Sequence, residues 1–357
     1  MVIADLVSRT INLALLRSLA CLFVAILILV VSSFLLIPSQ IAIAQPTESP
    51  TASPTASPTA SPSGTPKTCK VGVYLISLYD FDLAKETFGA DFWLWSTCPS
   101  EDLHVLKVID FVNGKNIKTS LDATFKRQNG YWSYVKVSGA FRYDWNVRNF
   151  PFDRHTLQII LENTTALASE FIYTADTKGS KYSKDIHLDG WRITDLTVNE
   201  KTYEADTMFG DPDFPDGTTK YSRLNILISL SRDSAISFFK ICAPVYIAVA
   251  ISLLAYFLDT PTGVGLLAGA LFAVVVNQQV SESVLGSVEK MTLVDMIHIT
   301  AMAYILATAI VIVYSDLKSG AHVEHLPIRR HRRSFRIASI SYIVVNIIII
   351  AAGANAG

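Results

Sequence analysis

Charge is scarce in this chain, and so is cysteine. Of 357 residues 17% are Asp, Glu, Lys or Arg, and the formal net charge is −1, so no basic surface for nucleic acid is on offer. The four cysteines include no CxxC pair and no Cys/His cluster at zinc spacing. There is no nucleophile elbow and no phosphate loop. Gly263, Gly265 and Gly269 have the wrong spacing for a dinucleotide loop, and no strand precedes them. His322-Val323-Glu324-His325 is not the helical H-E-x-x-H pattern. These absences leave no expectation of an enzyme, a cofactor or a metal.

Apolar residues make up half the chain and are unevenly placed, in an N-terminal run and in the last third. That distribution describes a membrane protein with a soluble middle. Within residues 1–44, Arg9 and Arg17 lead into the apolar stretch Leu19–Ile37, and Ala42-Ile43-Ala44 precedes Gln45 at a small-residue cleavage pattern. The segment reads as a signal peptide or an uncleaved N-terminal anchor, and either one sends the next part of the chain across the membrane. Residues 45–66 repeat Thr-Ala-Ser-Pro, with no apolar face to bury and too much proline for helix or sheet, so a disordered linker is expected.

Residues 67–233 carry the alternation of half-buried strands. Val71, Val73, Leu75 and Ser77 form one face; Phe88, Ala90, Phe92 and Leu94 another. Val135 with Val137, then Leu157-x-Ile159-x-Leu161, then Leu224 to Leu230 continue the pattern. Asn113-Gly114, Asn129-Gly130, Asp189-Gly190 and Asp216-Gly217 supply turns. The fold class expected is an all-β sandwich. If the first two strands pair as a hairpin turning near Leu83 and Ala84, Cys69 and Cys98 fall opposite each other, where an exported domain would place a disulfide.

Residues 234–357 hold four apolar spans, Ile236–Leu258, Gly263–Gly286, Leu293–Tyr314 and Ile337–Ala352, a four-helix transmembrane domain. The segment 315–336 carries Lys318, Arg329, Arg330, Arg332, Arg333 and Arg336, which the positive-inside rule places in the cytoplasm. The β-domain is then extracytoplasmic, on a multi-pass protein of the plasma membrane. The second span bears a stripe at helical spacing: Gly265, Gly269, Phe272, Val276, Gln279. Two readings stand. Gly265 and Gly269 form a small-xxx-small packing face within a bundle, or the stripe lines a pore around a symmetry axis.

Several stretches together resemble the pentameric ligand-gated ion channels, the Cys-loop receptor superfamily, and its prokaryotic branch in particular. They are Val71-Gly72-Val73-Tyr74-Leu75, then Thr87 to Trp95, then Asn149-Phe150-Pro151-Phe152-Asp153-Arg154-His155-Thr156-Leu157. Arg232 just before the first span, Pro244 inside it, and Met291-Thr292-Leu293-Val294-Asp295 before the third complete the likeness. It covers nearly everything from Lys70 onward. The loop around Phe-Pro-Phe-Asp lacks a flanking cysteine pair, and the cytoplasmic segment is short, both as in the prokaryotic branch. Gly265, Gly269 and Phe272 depart from the hydroxyl and branched residues usual in the pore helix.

The resemblance implies a homopentamer gated by a small-molecule or proton agonist and conducting ions, with Asp153 paired to Arg232 where Pro151 and Phe152 meet the membrane domain. Phe272 and Val276 would gate by dewetting, and Asp259 and Glu282 would favour cations; Asp259 reads equally as an N-cap. Asp295 and His298, one turn apart, are either a proton sensor or a satisfied interhelical hydrogen bond. An agonist would sit between neighbouring sandwiches. The segment Tyr203–Tyr221 with Phe209 and Phe214 would cap it, facing Trp93 or Trp95 and Phe171 or Tyr173; a solvated polar loop is the plainer reading. A sensor of the same fold that does not conduct is the rival function.

Overall fold

A computed structural model describes residues 65–210, 217–285, 291–319 and 332–356. The leader, most of the Thr-Ala-Ser-Pro repeat, Phe214 with its neighbouring aspartates, and the basic residues Arg329 and Arg330 lie outside them. The chain divides into two compact units. One is the β-rich body, through Asn146 and then Arg154–Asp233; the other is Ser234 onward together with Val147–Asp153.

The β-rich unit is two sheets. The strands are β1 (Lys67–Asp82), β2 (Thr87–Cys98), β3 (Ile109–Phe111), β4 (Gly114–Arg127) and β5 (Gly130–Arg142), followed by β6 (Arg154–Asn163), β7 (Phe171–Ala175), β8 (Lys181–Tyr182), β9 (Trp191–Ala205) and β10 (Thr219–Arg232). One sheet runs β4-β5-β2-β1-β7, with β8 also on β1; the other runs β3-β6-β10-β9. The alternating apolar residues are the ones that turn inward. Val71, Val73, Phe88, Phe92, Val137, Leu157, Ile159, Leu161, Leu224 and Ile228 are all buried. Burying each such side chain contributes about 1.5–3 kcal/mol, which is why a register slip of one residue is excluded. Asn113, from the first predicted turn, stitches the sheets: its amide donates to the carbonyls of Arg142 (3.0 Å) and Gln158 (2.7 Å), and its oxygen accepts from Ile160 N–H (3.0 Å).

Two details bear on the sequence pattern. A bulge between Leu75 and Ser77 shifts the alternation of β1, so Leu78 points inward and Ser77 turns out to donate to Asp91 (3.0 Å). Cys69 and Cys98 do lie opposite each other and form a disulfide.

The second unit is α-helical: α1 (Ser234–Leu253), closed by a tighter turn at Leu254–Phe257, then α2 (Thr260–Leu285), α3 (Leu293–Ser319) and α4 (Arg332–Ala356). Among the described residues four helices are long and apolar enough to cross a membrane: Ala235–Phe257, Thr260–Ser283, Leu293–Lys318 and Arg332–Asn355. The last two run past their apolar cores because Lys318, Arg332, Arg333 and Arg336 can extend charged ends beyond hydrocarbon. The architecture is therefore a β-sandwich followed by a four-helix membrane domain.

Candidate functional site

The second membrane helix has two opposed stripes. Gly263, Leu267, Ala270, Val274 and Ser281 are buried against the other helices. Gly265, Gly269, Phe272, Val276 and Gln279 are not packed there, and Phe272 is 71% exposed. Each residue of this stripe from Gly265 to Val276 lies two positions beyond a buried one. At about 100° per residue this is about 200°, so the stripes stand back to back. A Cβ added at Gly265 or Gly269 meets nothing within 4 Å. Within the chain these glycines therefore pack against no described helix. Among the described residues the small-xxx-small reading has no partner, and the stripe is left to face something outside them.

The helix is capped at its start. Asp259 accepts from the N–H (3.2 Å) and hydroxyl (2.9 Å) of Thr262, an N-cap that satisfies one of the helix's orphan donors. The Thr262 backbone bond holds the Asp259 carboxyl below its ordinary range, so the cap stays ionised and exposed. Gln278 donates to Glu282 at 3.4 Å near the exposed C-terminal end of the helix.

Asn277 explains why polar residues are tolerated so deep in an apolar helix. Its amide donates to the Ile241 carbonyl of α1 (2.8 Å) and lies 2.9 Å from His298 Nε2 of α3. His298 is fully buried, and its Nδ1 sits 2.7 Å from the Val294 carbonyl. A carbonyl can only accept, so Nδ1 carries the proton and Nε2 accepts from Asn277. Three helices are thus joined through two side chains. The expected His298–Asp295 hydrogen bond is not what forms. Asp295 instead turns back toward the helix start, accepting from Thr292 N–H and Oγ1 (both 2.8 Å) while Thr292 Oγ1 accepts from Asp295 N–H (3.2 Å). This is a capping box, which a Thr-x-x-acid spacing favours over a contact one turn onward.

The Phe-Pro-Phe-Asp loop belongs to the helical unit. Arg148 C=O accepts from Leu293 N–H (2.9 Å), taking up an orphan donor at the start of α3, and the Phe152 ring lies 5.6 Å from Phe238 on α1. Phe150, Pro151 and Asp153 are buried. Arg232 lies in the β-rich unit, where its guanidinium covers the Trp191 ring at 3.9 Å.

The sandwich carries two aromatic patches, one on each sheet. On the outer face of the first, Trp93 meets Tyr134 (5.6 Å), which stacks on Phe125 (6.1 Å) and contacts Trp132 (5.0 Å). Arg127 lies over Phe125 and Trp132, at 5.1 and 5.8 Å. Phe125, Trp132 and Tyr134 escaped sequence reasoning. Their signal is the Asn129-Gly130 turn, across which β4 and β5 pair Phe125 with Trp132. Trp95 is clamped on the same sheet. Its indole donates to Asp176 (3.2 Å), Lys70 pairs with the same carboxylate (2.8 Å), and Gly72 lets the ring lie flat, since a Cβ there would approach it to 2.4 Å.

On the second sheet Tyr203 pairs across from Tyr221, and Phe209, 67% exposed, contacts Tyr221 at 6.2 Å. Arg223, itself paired with Glu162, already covers Tyr203 at 3.3 Å from its centroid. One face of Tyr203 is therefore closed to a ligand cation. Phe171 and Tyr173 are corrected outright. At 2% and 0% exposure, with rings 4.8 Å apart, they fill the core, because β7 turns its odd positions inward. Neither offers a ligand wall. No family model matches the chain, and no curated protein matches it.

Proposed function

We propose that the protein is a homopentameric ligand- or proton-gated ion channel of the Cys-loop superfamily, prokaryotic type, with α2 around the central axis. The observation that carries this reading is the unpacked stripe Gly265–Gln279, back to back with the packed one. A helix facing lipid alone has no use for Gln279 on that face, since unpaired polar groups in hydrocarbon are costly. Five such stripes would enclose a path narrowed by Phe272 and Val276, whose apolar rings exclude water when close. Asp259 and Glu282 at its ends would concentrate cations.

The remaining groups take roles consistent with gating. The two aromatic patches lie on different sheets, so one agonist touching both would sit between neighbouring subunits. An organic cation suits those rings. Asp153, with Pro151 and Phe152 in the Phe-Pro-Phe-Asp loop, and Arg232, just before the first membrane helix, would serve in coupling. A second proton on His298 would face the Asn277 amide, donor against donor, and would open the three-helix network; acidification is accordingly the first stimulus to apply. The experiment is current across a voltage-clamped membrane as the outside is stepped from neutral to acid. A reversible current altered by Phe272→Ala supports the channel. Silence of both wild type and Phe272→Ala, each shown at the surface, favours the rival, a membrane-anchored ligand sensor. Phe272, bulky and exposed beside two glycines, is that rival's best support.

A further inference from the structure

The Thr-Ala-Ser-Pro repeat joins the sandwich at the end of the sheet that carries the first aromatic patch. It leads directly into β1, which begins at Lys67. Across that sheet Lys70 pairs with Thr97, Thr97 with Trp132, and Trp132 with Phe125. Paired residues share a face. Here it is the outer one, because the residues alternating with them, Cys69, Cys98 and Val135, are buried. At about 4.8 Å per strand, Trp132 lies about 10 Å from β1 and Phe125 about 14 Å. Lys70 lies about 16 Å along the strand from Thr65, so a chain doubling back from there covers about 19 Å to reach Trp132. Residues 51–64, in the polyproline II form that proline favours, would span about 43 Å at about 3.1 Å per residue. Ser63-Gly64 supplies a turn dipeptide at the point of return.

The chemistry of repeat and patch also matches. Polyproline II has no internal hydrogen bonds, so its carbonyls are free to accept, and aromatic-lined surfaces recognise it. Phe125 is 41% exposed, and Tyr74, paired with Trp93 across β1 and β2, is 39% exposed, which leaves ring surface open for proline and alanine. Trp132 brings an indole N–H and Tyr134 a hydroxyl that can donate to carbonyls. Arg127 already lies over Phe125 and Trp132. This part of the patch thus holds a cation of its own, and Thr51–Pro62 carries no charge.

We infer that the outer aromatic patch of the first sheet is a docking surface for the chain's own Thr-Ala-Ser-Pro repeat, taken as polyproline II across Trp132, Phe125 and Tyr134. The repeat folds back over the sheet it precedes. Its period of four is out of step with three residues per turn, so prolines come round to every side and docking does not hang on one register. Docking needs neither a pore nor an agonist, and an agonist using the same rings would compete with it.

The test compares the full chain in detergent with a variant whose Thr51–Pro62 is replaced by a Gly/Ser run of equal length. The probe is the synthetic peptide TASPTASPTASP, followed by tryptophan emission and acrylamide quenching. The Gly/Ser variant is expected to be quenched more readily and to bind the peptide saturably, with a Kd of about 1 mM or below. The intact chain, holding its own repeat at an effective concentration of order millimolar, should bind the peptide about fivefold more weakly or not at all. Phe125→Ala, an exposed edge-strand change that keeps every tryptophan, and Trp132→Ala should each weaken the peptide about fivefold or more in the Gly/Ser background. Lys201→Ala on the other sheet should not. A peptide with alanine for each proline should bind more weakly. Absence of peptide binding to the Gly/Ser variant overturns the inference, as does equal binding to both chains or binding indifferent to Phe125→Ala and Trp132→Ala. Shielding from acrylamide that survives the Gly/Ser replacement would give the patch to a second copy of the chain and overturn it too.

Discussion

Replacing Asp176 by Asn should loosen the clamp on Trp95 in a way that acid erases. Asp176 accepts from Lys70 Nζ (2.8 Å), Trp95 Nε1 (3.2 Å) and Gly179 N–H (3.2 Å). Burial works to raise this carboxyl, but the bonds from Lys70, Trp95 and Gly179 outweigh it and hold it below the ordinary range. Asn keeps one acceptor oxygen and turns the other toward its donors as an NH₂. One charge-assisted bond is lost, about 1.5–3 kcal/mol when well buried. Lys70 is more than half exposed, which screens its share, so about 1–2 kcal/mol is expected at neutral pH. Because the folded carboxyl titrates lower than the unfolded one, its stabilisation is present above about pH 3.9 and is lost as pH falls through the folded value. Thermal unfolding in detergent, followed by tryptophan fluorescence, should show the variant melting a few degrees lower at neutral pH and the gap closing in strong acid. Equal melting at neutral pH, or a gap unchanged by acid, would refute the reasoning.

Other consequences can be measured on the same material. Asn277→Leu strips the donor from His298 Nε2, leaving one buried acceptor unmet at about 1–3 kcal/mol, and removes the bond to the Ile241 carbonyl, while Gln278→Ala on the exposed side should cost under about 0.5 kcal/mol. Comparable melting of the two variants would argue against the three-helix network. Gly72→Ala drives a methyl into the Trp95 ring and should red-shift its emission with a loss of about 1–3 kcal/mol; an unchanged spectrum would contradict the flat packing. Asp259→Asn with Glu282→Gln removes both charges while Asn still caps the helix, so reversal potential should move toward anion permeation without a loss of assembly. A fixed reversal potential would remove both residues from selectivity.

The strands were legible because one face of each is buried and a period of two cannot hide. Where the period breaks, reading failed: the bulge after Leu75 moved Ser77 outward, and β7, only five residues long, gave no pattern by which to see that Phe171 and Tyr173 turn inward. Asp259 as an N-cap was readable from its place before α2, since capping is local chemistry. His298 was not, because its partner Asn277 lies 21 residues away on another helix and Asp295 was claimed by the nearer Thr292. The stripe on α2 could be drawn from spacing alone, but its emptiness could not. Only the packed helices show that Gly265 and Gly269 have no neighbour among the described residues.

The most direct test of the pore reading is a cysteine scan of α2 in a Cys242→Ala background, with a membrane-impermeant, water-soluble thiol reagent applied to protein in a membrane. The account predicts modification at Gly265, Gly269, Phe272, Val276 and Gln279, and inert thiols at Leu267, Ala270 and Val274. Modification spread evenly over both sets, or absent from the first, would contradict it.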